Sequence, residues 1–287
     1  MLLQALIEQV SARFQAAGIE SYQTDAELVI GHALSLNRGE LASAAIIGRE
    51  VSIAEAAEIE TIVARRAARE PLQHITGVAH FRNLELSVGP GVFTPRPETE
   101  FVAQLGIDAL RSSINSATPS PIAVDLGTGS GAIALSLATE VPDARVFAVE
   151  KSEAAYPYTE RNFARYGQAN AELVLGDLAD AFGDLNHTVS VVVSNPPYIP
   201  TDAIPRDLEV RLHDPDLALY GGEDGMSVIR FVSSTARRLL VEGGTLIIEH
   251  ADSQGSQVSQ LLLADGWLEV QSHKDLTGRD RAVTAIR

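Results

Sequence analysis

The chain has 287 residues, 45% hydrophobic and 21% charged, a balance that suits one or two globular domains and excludes a disordered protein. Its 38 acidic against 22 basic side chains leave a net charge of −16, which disfavours partners recognised by neutralising phosphates, and so a nucleic-acid substrate. Cys is absent, which excludes disulfides, thiolate metal sites and a Cys nucleophile, and agrees with a reducing, cytoplasmic setting.

The N-terminus lacks a basic n-region and carries Glu8 within its apolar stretch, so it reads as a helix, not a secretory signal. No apolar run approaches the ~18 residues of a membrane span. The seven His fall at no metal-binding spacing, and neither a GxSxG elbow nor a P-loop is present, so no metal site is expected.

Leu3, Leu6, Ile7, Val10 and Phe14 recur at helical spacing, and Gly18 closes that stripe. A second helix is expected from about Thr24-Asp25, carrying Ala26, Val29, Ile30 and Ala33. A third starts at Ser52, where Glu55 completes a capping box, and runs to a basic end at Arg65, Arg66 and Arg69 before Pro71 stops it. That basic end has two readings: complementation of the helix dipole by solvated charges, or a patch for docking a partner.

Residues 79–88 suggest a small hairpin turning at Arg82-Asn83. Three prolines and two glycines between Gly89 and Pro97 then make a stiff loop. Pro97-Glu98-Thr99-Glu100 opens a helix, which the polar segment from Ser112 to Ser120 follows. Beyond it short apolar strands at 122–126, 145–149, 172–175, 189–194 and 244–249 alternate with helices near 131–139, 152–166, 225–240 and 254–264. This is the pattern of an α/β, doubly wound, mostly parallel sheet covered on both faces. Two further strands, 267–271 and 281–286, have no helix between them and predict a terminal antiparallel hairpin. The expected organisation is a helical domain over 1–73, a hairpin and Pro-rich linker over 74–97, and an α/β domain over 98–287.

Two motifs carry chemistry. Asp125-Leu126-Gly127-Thr128-Gly129-Ser130-Gly131 ends the first core strand, and its glycines let the backbone turn sharply and approach a ligand. Glu150 ends the next strand, where a carboxylate can accept from both hydroxyls of a ribose. Taken alone, this pair suits a nicotinamide cofactor or S-adenosylmethionine equally, because Gly127, Gly129 and Ala132 also satisfy GxGxxG/A. The second motif, Asn195-Pro196-Pro197-Tyr198, ends the fourth strand. The Asn195 side-chain oxygen and the Pro196 carbonyl offer two acceptors for the hydrogens of a planar NH2 group, and Tyr198 offers a face to stack on it. A nicotinamide enzyme would need a catalytic acid or base that no residue supplies.

With the glycine motif, this Asn-Pro-Pro-Tyr resembles the class I S-adenosylmethionine-dependent methyltransferases that act on planar nitrogens. The chain is more closely similar to one branch, the release-factor glutamine N5-methyltransferases (the PrmC/HemK family). Arg69 to Gly77, Phe93-Thr94-Pro95-Arg96-Pro97-Glu98-Thr99-Glu100, His213-Asp214-Pro215, Gly221 to Gly225 and Asp275 to Arg281 all resemble stretches of that family. The resemblance implies a class I methyltransferase domain behind a small helical bundle. It also implies S-adenosylmethionine as cofactor and S-adenosylhomocysteine as product. The substrate it implies is the glutamine of the Gly-Gly-Gln loop in class I release factors, bound by a cytoplasmic monomer. Asp125, Gly127, Thr128, Gly129, Ser130, Gly131, Glu150, Asp177, Leu178 and Asn195 would then meet the cofactor. Asn195, Pro196, Pro197 and Tyr198, with Phe93 and Arg96, would meet the substrate, and Asn195, Pro196 and Tyr198 would act in catalysis. Glu150 and Leu178 stand where many relatives have Asp and some have an aromatic. An adenine-N6 or guanine-N2 nucleic-acid methyltransferase is the alternative, against which the acidic balance weighs.

Overall fold

The computed structural model describes residues 1–116, 118–167 and 169–287. The chain divides into two compact units. One comprises 1–78 with 205–213; the other comprises 79–204 with 214–287. The excursion at 205–213 has no counterpart in the three-segment division read from the sequence.

The first unit is helical: α1 (Leu3–Ala16), α2 (Tyr22–Leu34), α3 (Arg38–Ile46), α4 (Ile53–Ala67) and the short α5 (Leu72–Thr76). The predicted stripe Leu3, Leu6, Val10 and Phe14 is buried, packed on Val29, Ile30, Ile59 and Val63. Burying each such side chain is worth about 1.5–3 kcal/mol. Both bonds of the Ser52–Glu55 capping box form. The sequence reading passed over α3, although Asn37 and Glu40 make the same reciprocal cap there. Its stripe is too short and too Ala-rich to stand out.

The basic end of α4 follows the helix-dipole reading only in part. Arg66 is 4% exposed and donates from Nε to Asp25 at 2.8 Å, and its Nη2 pairs with Glu209 at 2.8 Å. Arg69 donates to the Gly18 carbonyl and also pairs with Glu209, and Arg65 pairs with Glu70. Arg65, its side chain 44% exposed, is a solvated charge in the last turn, whereas Arg66 and Arg69 fasten the 205–213 segment, which carries α9 (Leu208–His213), to the helical unit.

The second unit opens on the hairpin, whose strands are β1 (Val78–Phe81) and β2 (Leu84–Ser87), followed by α6 (Thr99–Asn115). Glu98 is the N-cap of α6, so Pro97 lies outside the helix. The helix also runs into the polar segment expected to follow it, because Ile107 and Leu110 still face the core. Within that segment Ala117 lies outside the described residues.

The main sheet comprises β3 (Ile122–Leu126), β4 (Arg145–Glu150), β5 (Ala171–Leu175), β6 (Val189–Ser194), β7 (Leu240–Glu249), β8 (Leu268–Lys274) and β9 (Asp280–Ile286). Among the described residues their order is β5-β4-β3-β6-β7-β9-β8. The first five strands run parallel, and β9 pairs antiparallel with both β7 and β8. The expected doubly wound sheet with its terminal hairpin is therefore present. Val191, Val193 and Ile247 face one core layer with α6 and α7 (Ala132–Glu140); Val192, Leu246 and Ile248 face the other with α11 (Ser227–Leu239) and α12 (Gly255–Ala264). This period-two division explains why the strands read as unbroken apolar runs. The remaining helices are α8 (Tyr156–Tyr166) and α10 (Asp216–Leu219). No described helix is long and apolar enough to cross a membrane.

Candidate active site

From β3 the chain winds outward through β4 and β5, then returns to β6 on the other side of β3. Ligands in open α/β sheets bind beyond the strand carboxyl ends at such a switch point. Both sequence motifs lie there: the glycine loop follows β3, Glu150 ends β4, and Asn195 follows β6.

The loop is built from backbone. Gly127, Gly129 and Gly131 have φ of 77°, 57° and 86°, in the left-handed region that disfavours other residues. A Cβ placed on Gly127 or Gly129 would meet nothing within 4 Å, so the backbone borders open space there; one on Gly131 would press on Phe163 and Leu135. Helix α8 holds the loop from behind. Thr159 Oγ1 donates to the Gly129 carbonyl, and Asn162 Nδ2 donates to the Ser130 carbonyl at 2.9 Å.

Two acids brace the same loop. Glu150 accepts from the backbone N–H of Gly129 at 2.8 Å and of Ser152 at 2.7 Å, which leaves lone pairs on both oxygens for a further donor. Asp125 accepts at Oδ2 from Thr128 Oγ1 at 2.6 Å and from the Ala134 N–H, while its buried Oδ1 has no partner. Burial pushes the Asp125 carboxyl up to about 7, and the nearby Glu150 adds to the rise. Asp177 pairs with Lys151 at 2.8 Å, and that bond, with the Ala179 N–H, holds its pKa down. Leu178 packs half-buried on the sheet. The open backbone at Gly127 and Gly129, the free lone pairs of Glu150 and the orphaned Asp125 oxygen suit a polar, ribose-bearing cofactor.

Asn195-Pro196-Pro197-Tyr198 is anchored on its far side. Gln254 Nε2 donates to the Tyr198 carbonyl at 3.0 Å. The backbone of Gly221 to Gly225 passes so close that a Cβ on Gly221 would strike the Pro197 carbonyl, and one on Gly225 the Tyr198 carbonyl. Arg96 pairs with the buried Asp214 at 2.6 Å and lies 4.9 Å over the Phe93 ring. The positive charge of Arg96 also acts on Tyr198, whose hydroxyl burial pushes well above its ordinary pKa. Phe93 and Arg96 thus stand near the motif, with Arg96 already committed to Asp214.

Behind Asn195 lies a polar group that the sequence reading missed. Asn195 Nδ2 donates to Thr99 Oγ1 at 3.3 Å, and both side chains act on the buried carboxyl of Glu249, whose Oε2 has no hydrogen-bond partner. Burial raises the Glu249 carboxyl to about 7 against the influence of Thr99, Arg281 and Asn195. The signal was present. An acid closing the apolar run Leu246-Ile247-Ile248 stands at its strand end as Glu150 does.

A family model described as the PrmC N-terminal domain matches residues 5–77, and one described as a methyltransferase small domain matches residues 83–212. A release factor glutamine methyltransferase of Streptomyces coelicolor is 48% identical over 99% of this chain and 98% of its own, and one of Bifidobacterium longum is 40% identical over 100% of both. A 4-amino-L-phenylalanine/4-methylamino-L-phenylalanine methyltransferase of Streptomyces pristinaespiralis is 38% identical over 100% of this chain and 95% of its own. Among solved structures, the hMettl16 catalytic domain superposes with a TM-score of 0.55 at 12% identity, covering 78% of this chain and 81% of that one. A Pyrococcus furiosus methyltransferase gives 0.50 at 20% identity over 71% and 89%. These two likenesses concern the fold, a class I methyltransferase fold. Full-length similarity to curated relatives, with both family models in sequence order, establishes that the chain belongs to the release factor glutamine methyltransferase family.

Proposed function

We propose that this chain transfers a methyl group from S-adenosylmethionine to the side-chain amide nitrogen of the glutamine in the Gly-Gly-Gln loop of class I release factors. The observation that carries the reading is the position of Asn195, an amide acceptor at the end of β6 beside the glycine loop, in a chain 48% identical to a release factor glutamine methyltransferase.

The backbone at Gly127 to Gly131, with Asp125, Thr128 and Ser130, would cradle the methionine and ribose part of the cofactor. Glu150 would hold the ribose hydroxyls, and Asp177 the adenine amino group with Leu178 packed beside it. Binding there has one local consequence: Asp177 must share its carboxylate between Lys151 and the incoming amine. Once bound, the cofactor supplies an electrophilic methyl carbon on a sulfonium.

The chain's own work falls on the amide. Its nitrogen is a poor nucleophile because the lone pair is delocalised into the carbonyl. Asn195 Oδ1 and the Pro196 carbonyl would each accept one N–H, stabilising the positive charge that grows on nitrogen as the N–C bond forms and the C–S bond breaks. The methylated nitrogen is then acidic and releases its extra proton. Tyr198 and Pro197 would hold the amide plane, and Phe93 with Arg96 would border its approach. Alignment of this kind is worth about 7–11 kcal/mol in well-oriented reactions.

Unit 1 would grip the factor away from the reacting loop. Because Arg66 and Arg69 bind Glu209, deleting the first 70 residues would strand the 205–213 segment. Exposed Ile46, Ile47 and Ile53 are better places to substitute.

The test uses methyl-labelled S-adenosylmethionine with whole release factor, the same factor with its loop Gln changed to Ala, and 4-amino-L-phenylalanine. Label on the first alone supports the reading. Label on the free amine alone overturns it.

A further inference from the structure

The polar group behind Asn195 assigns roles to residues not yet placed in the reaction. The register pairs Ser194 of β6 with Ile248 of β7, so Asn195 and Glu249 follow side by side at adjacent strand ends. Thr99, the first residue of α6 and 4% exposed, meets Asn195 there. Asn195 Nδ2 donates to Thr99 Oγ1, Thr99 acts on the Glu249 carboxyl, and Glu249 Oε2 is buried without a partner, an arrangement that suits a short relay from Asn195 through Thr99 to Glu249.

Such a relay has a polarity set by its end. A carboxylate only accepts, so in this relay the Thr99 hydroxyl gives it its hydrogen. The Thr99 oxygen is then an acceptor, and Asn195 must turn its NH2 inward. The carbonyl oxygen of Asn195 is left pointing away from the relay. A flipped Asn195 would direct two N–H donors at the incoming amide, against that amide's own N–H groups. The two orientations of an Asn are otherwise close to isosteric, so the distinction needs an electrostatic cause.

We propose that Thr99 and Glu249 are positioning residues that impose the orientation of the Asn195 amide and thereby select a substrate group that donates hydrogens, an NH2, over one that only accepts them. The inference rests on the reading that Asn195 receives the substrate nitrogen. It gives the Thr of the Pro-Arg-Pro-Glu-Thr-Glu stretch a specific task, which a helix start would not require.

The charges facing Glu249 are all in view. Glu98 and Thr99 approach it from the start of α6, and Asn195 and Tyr198 from the end of β6. Arg281 approaches from β9, itself tied to Asp275 by a 3.1 Å bond. On its own strand the next residue is His250, whose Nδ1 meets the Ala251 carbonyl at 2.7 Å. Arg281 favours the carboxylate, whereas burial and Glu98 oppose it. The relay therefore loses its fixed polarity when Glu249 takes up a proton, on the acid side of about 7.

The experiment compares Thr99→Val, Thr99→Ser and Glu249→Gln in the full chain, with S-adenosylmethionine and whole release factor. Thr99→Val keeps the shape and loses the hydroxyl; Thr99→Ser does the reverse. Loss of the relay should lower kcat/KM for the factor about 10–100-fold in Thr99→Val, with most of the turnover restored in Thr99→Ser. Wild-type kcat/KM should rise with pH through about 7 and then level, and Glu249→Gln should lose that limb. The side-chain amide NMR signals of Asn195 should move over the same pH range in the wild type and stay fixed in Glu249→Gln. Activity of Thr99→Val with failure of Thr99→Ser would mean that Thr99 only packs, and would overturn the proposal. So would a pH limb that survives in Glu249→Gln, which would point to Asp125 instead. A wild type that transfers no methyl to any release factor refutes the substrate reading. The NMR comparison still decides the relay in that case.

Discussion

The glycine-loop end of the site is made mostly of backbone, whereas the amide end is made of side chains gathered from distant stretches of chain. At the loop, three left-handed glycines, the N–H of Gly129 and one strand-end acid lie within 24 residues of one another. At the amide end, Asn195 bonds Thr99, 96 positions away, and stands beside Glu249 at the neighbouring strand end. Conformation dominates the first region, where changes should act on cofactor affinity. Hydrogen-bond polarity dominates the second, where changes should act on turnover.

That contrast can be broken experimentally. The largest effect is expected from Asn195→Ala, which removes the acceptor proposed to meet the developing charge: kcat should fall about 10²–10³-fold, by analogy with the loss of one such hydrogen-bonding group. Steady-state kinetics together with cofactor titration would check it, and a matching loss of cofactor affinity would dissolve the contrast. Asn195→Asp, which keeps one acceptor but sets a second carboxyl beside Glu249, should fall between the wild type and Asn195→Ala.

Glu150→Gln should act on the other side. A hydrogen bond to a charged group is worth about 1.5–3 kcal/mol against about 0.5–1.5 kcal/mol for a neutral one, so the Kd for S-adenosylmethionine should rise about tenfold, read by calorimetry. Gly129→Ala should weaken binding by a smaller factor, because a left-handed backbone costs other residues about 1–2 kcal/mol. The same titration checks it, and unchanged affinity would mean that the loop relaxes freely.

The smallest expected effect joins the two ends. Asp125 and Glu249 both have folded-state pKa values of about 7, raised above their ordinary values by burial. Between their ordinary pKa and about 7 the native state binds protons that the unfolded chain has released, so this contribution to stability is lost as pH rises through about 7. Tm measured from pH 5 to pH 8 should therefore decline gently, and Asp125→Asn or Glu249→Gln should each flatten part of the slope. An unchanged slope in both variants would mean that neither acid titrates there.

The legible parts share one property: their information is local. The capping box at Ser52 and Glu55, the stripe from Leu3 to Phe14 and the glycine spacing after β3 each lie within one helix or one turn, where neighbours in sequence are neighbours in space. The helix α3 escaped because Arg38 to Ile46 offers little apolar periodicity. The burial of Arg66 at the basic end of α4 escaped because its partners, Asp25 and Glu209, lie 41 and 143 positions away. Glu249 escaped because an acid at a strand end looks like solubility charge until its burial is known.

The order of the main-sheet strands, the doubly wound sheet with its terminal hairpin, and the two motifs at its switch point were thus determined by sequence alone, through backbone conformation and period-two burial. The tertiary structure alone decided which polar groups face one another. Parallel pairing of β6 with β7 sets Asn195 beside Glu249, α6 brings Thr99 to Asn195, and the returning segment at 205–213 binds the helical unit. The energy of a buried charge depends on what surrounds it, and long-range pairing supplies those surroundings.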